Sequence, residues 1–191
     1  MDDRTYKLLR NIAIAFTVLW LGWEAYGALF GAPPGNKDYV AGNTLFEDGA
    51  YDRALTSYRE ALTADPDNLY ALRGIGRSLM QLGHDDEALT VFDQVIDRDP
   101  SVGATYANRG ILLDRMGRYA QAIKDYETAL KLDPKLAEGP NWLTRFMRNQ
   151  PDKPPSIADR LAYLKLQLQL PEAERVLRQP EVDADQRPYK M

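Results

Sequence analysis

Apolar positions through the middle of the chain recur at helical spacing, and the pattern itself recurs every 34 residues between Asn36 and Pro134. Leu72, Ile75, Leu79 and Leu82 form one stripe, and Ala88, Phe92, Val95 and Ile96 form the next. Gly49, Gly83 and Gly117 separate such stripes, where a left-handed residue ends a helix. Each copy closes on Asp-Pro, at Pro66, Pro100 and Pro134, and proline stops the second helix. The pattern therefore predicts three copies of helix, tight turn and helix. Gly42, Gly76 and Gly110 are expected to face Ala54, Ala88 and Ala122 so that paired backbones approach closely, with Tyr58, Phe92 and Tyr126 filling the gap. One copy cannot bury its own apolar face, so the copies are expected to stack into a solenoid.

These residues resemble the tetratricopeptide repeat, whose pattern is an aromatic, Leu-Gly, Tyr, Ala-x3-Phe and Pro. The second copy carries it as Leu72, Ile75-Gly76, Leu79, Ala88, Phe92 and Pro100, and the third as Tyr106, Arg109-Gly110, Leu113, Ala122, Tyr126 and Pro134. The first copy has Asp38, Ala41-Gly42, Leu45, Ala54, Tyr58 and Pro66. Asp38 and Arg109 depart from the pattern and suggest less buried first helices. The resemblance implies an all-α fold, a right-handed solenoid of helical hairpins.

Before the repeats, residues 11–30 read NIAIAFTVLWLGWEAYGALF. Twenty helical residues rise about 30 Å, the thickness of a bilayer's hydrocarbon core. Trp20, Trp23 and Tyr26 crowd the far end, and Arg4, Lys7 and Arg10 precede the near one. This predicts a single-pass transmembrane anchor with a cytoplasmic amino terminus and the repeats on the extracytoplasmic side, the periplasm in a bacterium. Two readings compete with it: a secretory signal cleaved near Ala25-Tyr26-Gly27, opposed by the length of the run and its tryptophans, and a buried helix of a soluble protein. Glu24 is expected among the outer headgroups, reaching water.

After the repeats, a further first helix is expected over roughly Leu136 to Asn149, with Trp142, Leu143, Phe146 and Met147 on its apolar face. The prolines between Gln150 and Pro155 end it. Ser156 with Asp159 resembles a capping box opening a helix with Ile157, Leu161, Leu164 and Leu168 on one side. Pro171 opens a final short helix ending near Arg178. The organisation is thus an amino terminus (1–10), an anchor (11–30), a linker (31–35), repeats (36–66, 67–100 and 101–134), a divergent helical cap (135–178) and a loose tail (179–191).

Composition narrows the chemistry. The net charge of −4 lacks the basic excess of a nucleic-acid binder. There is no cysteine, which excludes disulfides and thiolate metal sites. His84 is the only histidine, and it follows a turn glycine, so no histidine pair can hold a metal or relay a proton. Asp85 and Asp86 start a helix, where they complement its dipole. No catalytic motif, metal site or cofactor is expected.

In solenoids of the resembled family the first helix of each repeat lines a concave face that binds peptides. The resemblance places Tyr39, Arg73, Ala107 and Asn141 in one inward row and Asn43, Arg77, Ile111 and Arg145 in the next. Asn108 lies near the same surface, with Met80 and Arg148 one turn further. Of the family's carboxylate clamp, Asn43 matches, while Tyr39 and Ala104 stand where lysines belong. Arginine and asparagine in these rows suit an extended or acidic segment. The reading is a membrane-tethered, non-catalytic scaffold or assembly factor that binds a membrane-associated protein through this groove. The alternatives are a structural subunit of a larger membrane complex and an enzyme with an unrecognised site.

Overall fold

A computed structural model describes residues 3–30, 35–139, 142–147, 153–178 and 188–189, with the backbone alone at residues 3, 24–30, 144 and 147. The repeats form three helix pairs: α2 (Asn36–Glu47) with α3 (Tyr51–Ala64), α4 (Leu69–Gln81) with α5 (Asp85–Arg98), and α6 (Gly103–Arg115) with α7 (Tyr119–Leu132). They follow α1 (Asp3–Phe30), and α8 (Trp142–Met147) and α9 (Ile157–Gln169) come after. Adjacent helices of α2–α7 pack in turn, and the first helices α2, α4 and α6 also touch along the stack.

The turns form as the period predicts. Gly49, Gly83 and Gly117 have φ of 77°, 78° and 75°. The next residue's N–H then reaches back to a leucine carbonyl: Ala50 to Leu45 at 2.9 Å, His84 to Leu79 at 3.0 Å and Arg118 to Leu113 at 2.8 Å. These bonds satisfy carbonyls that the helix end leaves open. The Asp-Pro steps have an equally local cause. Proline pushes Asp65, Asp99 and Asp133 into extended backbone. Each carboxylate then accepts the N–H two residues on, from Asp67, Ser101 and Lys135.

The core lies between paired helices. Ala54, Ala88, Ala122, Tyr58, Phe92 and Tyr126 are all fully buried. The glycines need to be small because of the aromatic rings. A Cβ on Gly42, Gly76 or Gly110 would come within 2.7, 2.9 and 2.7 Å of the rings of Tyr58, Phe92 and Tyr126. The ring, not the alanine, is the nearest neighbour. Gly74 makes a further contact of this kind, since a Cβ there would come within 2.5 Å of the Tyr58 ring, so Tyr58 is held between α2 and α4.

The departures from the repeat pattern divide. Repeat one's first helix is shallow, with only Gly42 and Phe46 buried in α2. Arg109 marks no such exposure, because α6 is deeply buried. Its guanidinium bonds Asp125 at 2.7 and 2.8 Å and Asp93 at 2.7 Å, tying α6 to α7 and α5. These partners push its pKa up, the Asp125 hydrogen bond foremost.

The expected anchor is corrected. Among the described residues no helix is long and apolar enough to cross a membrane. α1 is one continuous helix of 28 residues, but it begins with Arg4, Lys7 and Arg10. Its run free of ionisable residues, Asn11 to Trp23, has thirteen residues and rises about 20 Å, short of the roughly 30 Å of a hydrocarbon core. The single-pass placement, cytoplasmic amino terminus and periplasmic repeats fall with it. Residues 4–23 of α1 are exposed throughout. The side chains of Glu24 and Tyr26 and the linker residues 31–34 lie outside those described.

Past Pro134 the structure again differs. A 3-10 turn, Pro134–Ala137, replaces the start of the expected helix, and Gly139 at φ 65° breaks the path before Pro140. Only α8 follows, and Trp142, Leu143 and Phe146 are exposed on it. α9 has the expected capping box, with Ser156 N–H donating to the Asp159 carboxylate at 2.9 Å and Asp159 N–H to the Ser156 hydroxyl at 3.3 Å. It lies against α7 and the 3-10 turn, burying Ile157 and Leu164. After Pro171 there is a short 3-10 turn, Glu172–Glu174, and no helix to Arg178. Of the residues expected to be a loose tail, Pro188 is buried and Tyr189 packs against the core.

Candidate functional site

The first helices bring part of the predicted rows together. Asn43 and Arg77, one period apart, meet across α2 and α4 at 3.3 Å. Arg77 also donates to the Tyr58 hydroxyl at 3.3 Å, and its guanidinium lies 4.6 Å from the centre of the Phe46 ring. Tyr58 donates to Asn43 at 2.8 Å. Burial pushes the Tyr58 phenol up to about 12, partly offset by the Arg77 charge. Arg77 is 3% exposed and Arg73 2%. Arg73 pairs with Asp99 at 2.7 Å. Hydrogen bonds from Ser101 and then Arg73 hold the Asp99 carboxyl down at about 2. The open pair of cations expected at the groove centre is therefore not found: both arginines act inside the stack, Arg77 tying repeat two to repeat one and Arg73 tying the two helices of repeat two together.

Tyr39 lies in a cleft of about 530 Å³ with Asn36, Asp65, Asp67, Asn68, Leu69 and Tyr70. Its ring centre is 6.1 Å from those of both Tyr58 and Tyr70. Ala107, Ile111 and Met80 are buried in the core. Asn141 and Arg148 fall outside the described residues. Arg145 sits half-buried on α8, and the break at Pro134–Gly139 ends the row before reaching it.

Asn108 is brought to a different partner. It is fully buried on α6, and both ends of its carboxamide engage the backbone of Tyr189. Its Nδ2 donates to the Tyr189 carbonyl at 3.2 Å, and Tyr189 N–H donates to its Oδ1 at 2.6 Å. The Tyr189 hydroxyl donates to the Leu136 carbonyl at 3.1 Å and accepts Ile157 N–H at 3.3 Å. Burial raises this phenol's pKa.

A second cluster was missed from the sequence. Arg160 on α9 is 2% exposed and forks onto Asp114 of α6 at 2.7 and 2.8 Å. It also donates to the Leu177 carbonyl at 2.8 Å, while Tyr126 donates to Asp114 at 3.2 Å. The signal was present in two places. Arg160 interrupts the apolar face of α9, and Asp114 stands where the earlier copies have Phe46 and Met80.

Elsewhere the chemistry is plain. His84 is exposed at the start of α5, with Nδ1 3.1 Å from Glu87. Among the described residues no three His, Cys, Asp or Glu gather as a metal site.

Stacked helical hairpins with engaged polar groups on the first helices define a helical-repeat interaction fold. Tetratricopeptide-repeat family models match residues 45–108 and 103–136, so that stretch carries tetratricopeptide repeats. No curated protein matches the sequence. Among solved structures, the second tetratricopeptide domain of Spaghetti (RPAP3), bound to the HSP90 peptide SRMEEVD, is similar at 27% identity and TM-score 0.50. That match covers 52% of this chain and 93% of that one. The first such domain, with the same peptide, is similar at 25% identity and TM-score 0.51, over 68% and 94%. The first domain of human RPAP3 shares the fold at 24% identity and TM-score 0.52, over 71% and 98%.

Proposed function

We propose that this protein is a non-catalytic interaction scaffold whose first-helix face holds an extended segment of a partner protein. The observation that carries the reading is Asn108, a buried carboxamide whose donor and acceptor both serve the backbone of another segment. Such pairing reads the N–H and carbonyl of any residue but proline, so affinity comes from main chain and selectivity from neighbouring pockets. The HSP90 peptide bound by the two Spaghetti domains supports peptide capture as the class of activity. Selection for acidic segments is not carried over, because Asp99 already matches the charge of Arg73.

A second reading, a subunit enclosed in a larger complex, is favoured by exposed apolar side chains. Trp142 and Phe146 on α8 are 70% and 74% exposed, and Leu19 and Trp23 on α1 are 70% and 76% exposed. Covering such surface is favourable at about 25 cal/mol per Å².

Photo-crosslinking residues placed one at a time at Tyr70, Arg59, Trp142 and Leu19 separate the readings. Tyr70 lines the first-helix cleft, and Arg59 is exposed on the second helix of repeat one. Adducts from Tyr70 but not Arg59 are the expected result. Adducts confined to Trp142 and Leu19 would replace it with the second reading.

A further inference from the structure

The site at Asn108 is already occupied by the chain's own residues 188–189. Its register shows that this is no general feature of the repeats. The equivalent positions are Val40 and Gly74, neither of which offers a side-chain amide. Gly74 instead lies against the Tyr58 ring. Of these three positions, only that of the third copy offers a buried side chain able to bond both the N–H and the carbonyl of one residue.

The rest of the site reads more than backbone. Pro188 is buried beside Tyr189. The phenol spans to the 3-10 turn and the first turn of α9, its oxygen between a carbonyl acceptor at Leu136 and the N–H donor of Ile157. That N–H belongs to the group at a helix start with no intrahelical partner, so an incoming oxygen satisfies it. The Tyr189 side chain packs against the apolar cluster. A ligand here needs an extended backbone, a compact apolar residue and then an aromatic ring bearing a hydroxyl.

We propose that Asn108, Leu136 and Ile157 form a docking site for extended Pro-Tyr segments, that residues 188–189 are its resident intramolecular ligand, and that a partner's Pro-Tyr segment enters by displacing them. The proposal deepens the peptide-binding reading and rests on it for the role of the displaced state. A tethered ligand competes at an effective concentration on the order of 1 mM, so the resident segment suppresses binding in trans and sets a threshold for capture.

The test uses the full chain and a fluorescein-labelled peptide of residues 181–191, EVDADQRPYKM, followed by fluorescence anisotropy. Tyr189→Ala should bind the peptide at least tenfold more tightly than the wild type. Adding Asn108→Ala should abolish that gain, and a peptide with phenylalanine for tyrosine should bind more weakly. Circular dichroism checks that each variant is folded. A folded Tyr189→Ala that fails to bind, or that binds equally well without Asn108, overturns the proposal.

Should Tyr189→Ala not fold, a protease site inserted between Arg178 and Pro188 and cut after folding serves instead. Exchange of the cut fragment for labelled peptide supports the site. Loss of the fragment without exchange refutes it. The crosslinks at Tyr70 report the wider interaction reading separately. Peptide binding without Tyr70 adducts would leave the docking site standing and remove the partner-capture role.

Discussion

Gly110 has no room for a methyl group. The added Cβ would meet the Tyr126 ring at 2.7 Å, and Tyr126 is fully buried, so it cannot retreat into solvent. Gly110→Ala gains about 0.5–1 kcal/mol of backbone propensity but incurs an overpacking cost of about 1–3 kcal/mol. Net destabilisation in urea unfolding is the expected outcome, and a variant as stable as the parent would contradict the packing. Asp99 supplies a pH test. Its folded pKa is about 2 against an ordinary 3.8, so its contribution to stability is present above pH 4 and is lost as pH falls through about 2. Asp99→Asn should therefore lower the melting temperature at pH 7 and much less at pH 2. An equal loss at both would show that the carboxylate charge is not involved. The place of Asp99 in a helix-ending Asp-Pro was legible in the sequence. Its pairing with Arg73 was not, because the residues lie 26 apart and meet only when α4 stacks beside the end of α5.

α9 is the element whose position the repeat period could not supply. It is held to α6 by the fork between Arg160 and Asp114, both nearly inaccessible to solvent. Removing one member of such a pair strands a buried charge, which typically costs about 3–5 kcal/mol. Arg160→Ala should show that loss in chemical denaturation. Combining Arg160→Leu with Asp114→Met, the residue type at the same place in repeat two, should restore most of it. A double variant no more stable than Arg160→Ala would show that the charges do more than satisfy each other. The capping box that begins α9 is a local motif, readable from Ser156 and Asp159 alone. The face that α9 presents is a tertiary matter, since an arginine on an apolar stripe can be explained only by the acid it meets.

At the scale of the whole molecule the stack is deepest in its middle. Ten residues of α4 and ten of α6 are buried, against two of α2. In a solenoid each repeat is stabilised by its neighbours, so local opening should be easiest where a neighbour is missing. Backbone amides of α4 and α6 should exchange with deuterium most slowly and those of α2 much faster. Equal protection of α2 and α4 would mean that α2 is covered by something beyond the repeats.

The amino-acid sequence alone determined the helical hairpins, their register and their turns. Each rests on neighbours in the chain: glycine free to adopt positive φ, proline that extends the residue before it, and apolar residues three and four apart. The resemblance placed Asn43 and Arg77 in one row, one period apart, and the stack brings them to 3.3 Å of each other. Tertiary structure alone decided what those groups do. Burial turned Arg73 and Arg77 from an open binding surface into internal ties, because a cation removed from water must find partners within reach. The apolar run of α1, halted at Glu24, proved too short for a bilayer core. Tertiary structure also seated Tyr189 on Asn108, 81 residues away in the chain, a contact that no local rule relates to the repeat.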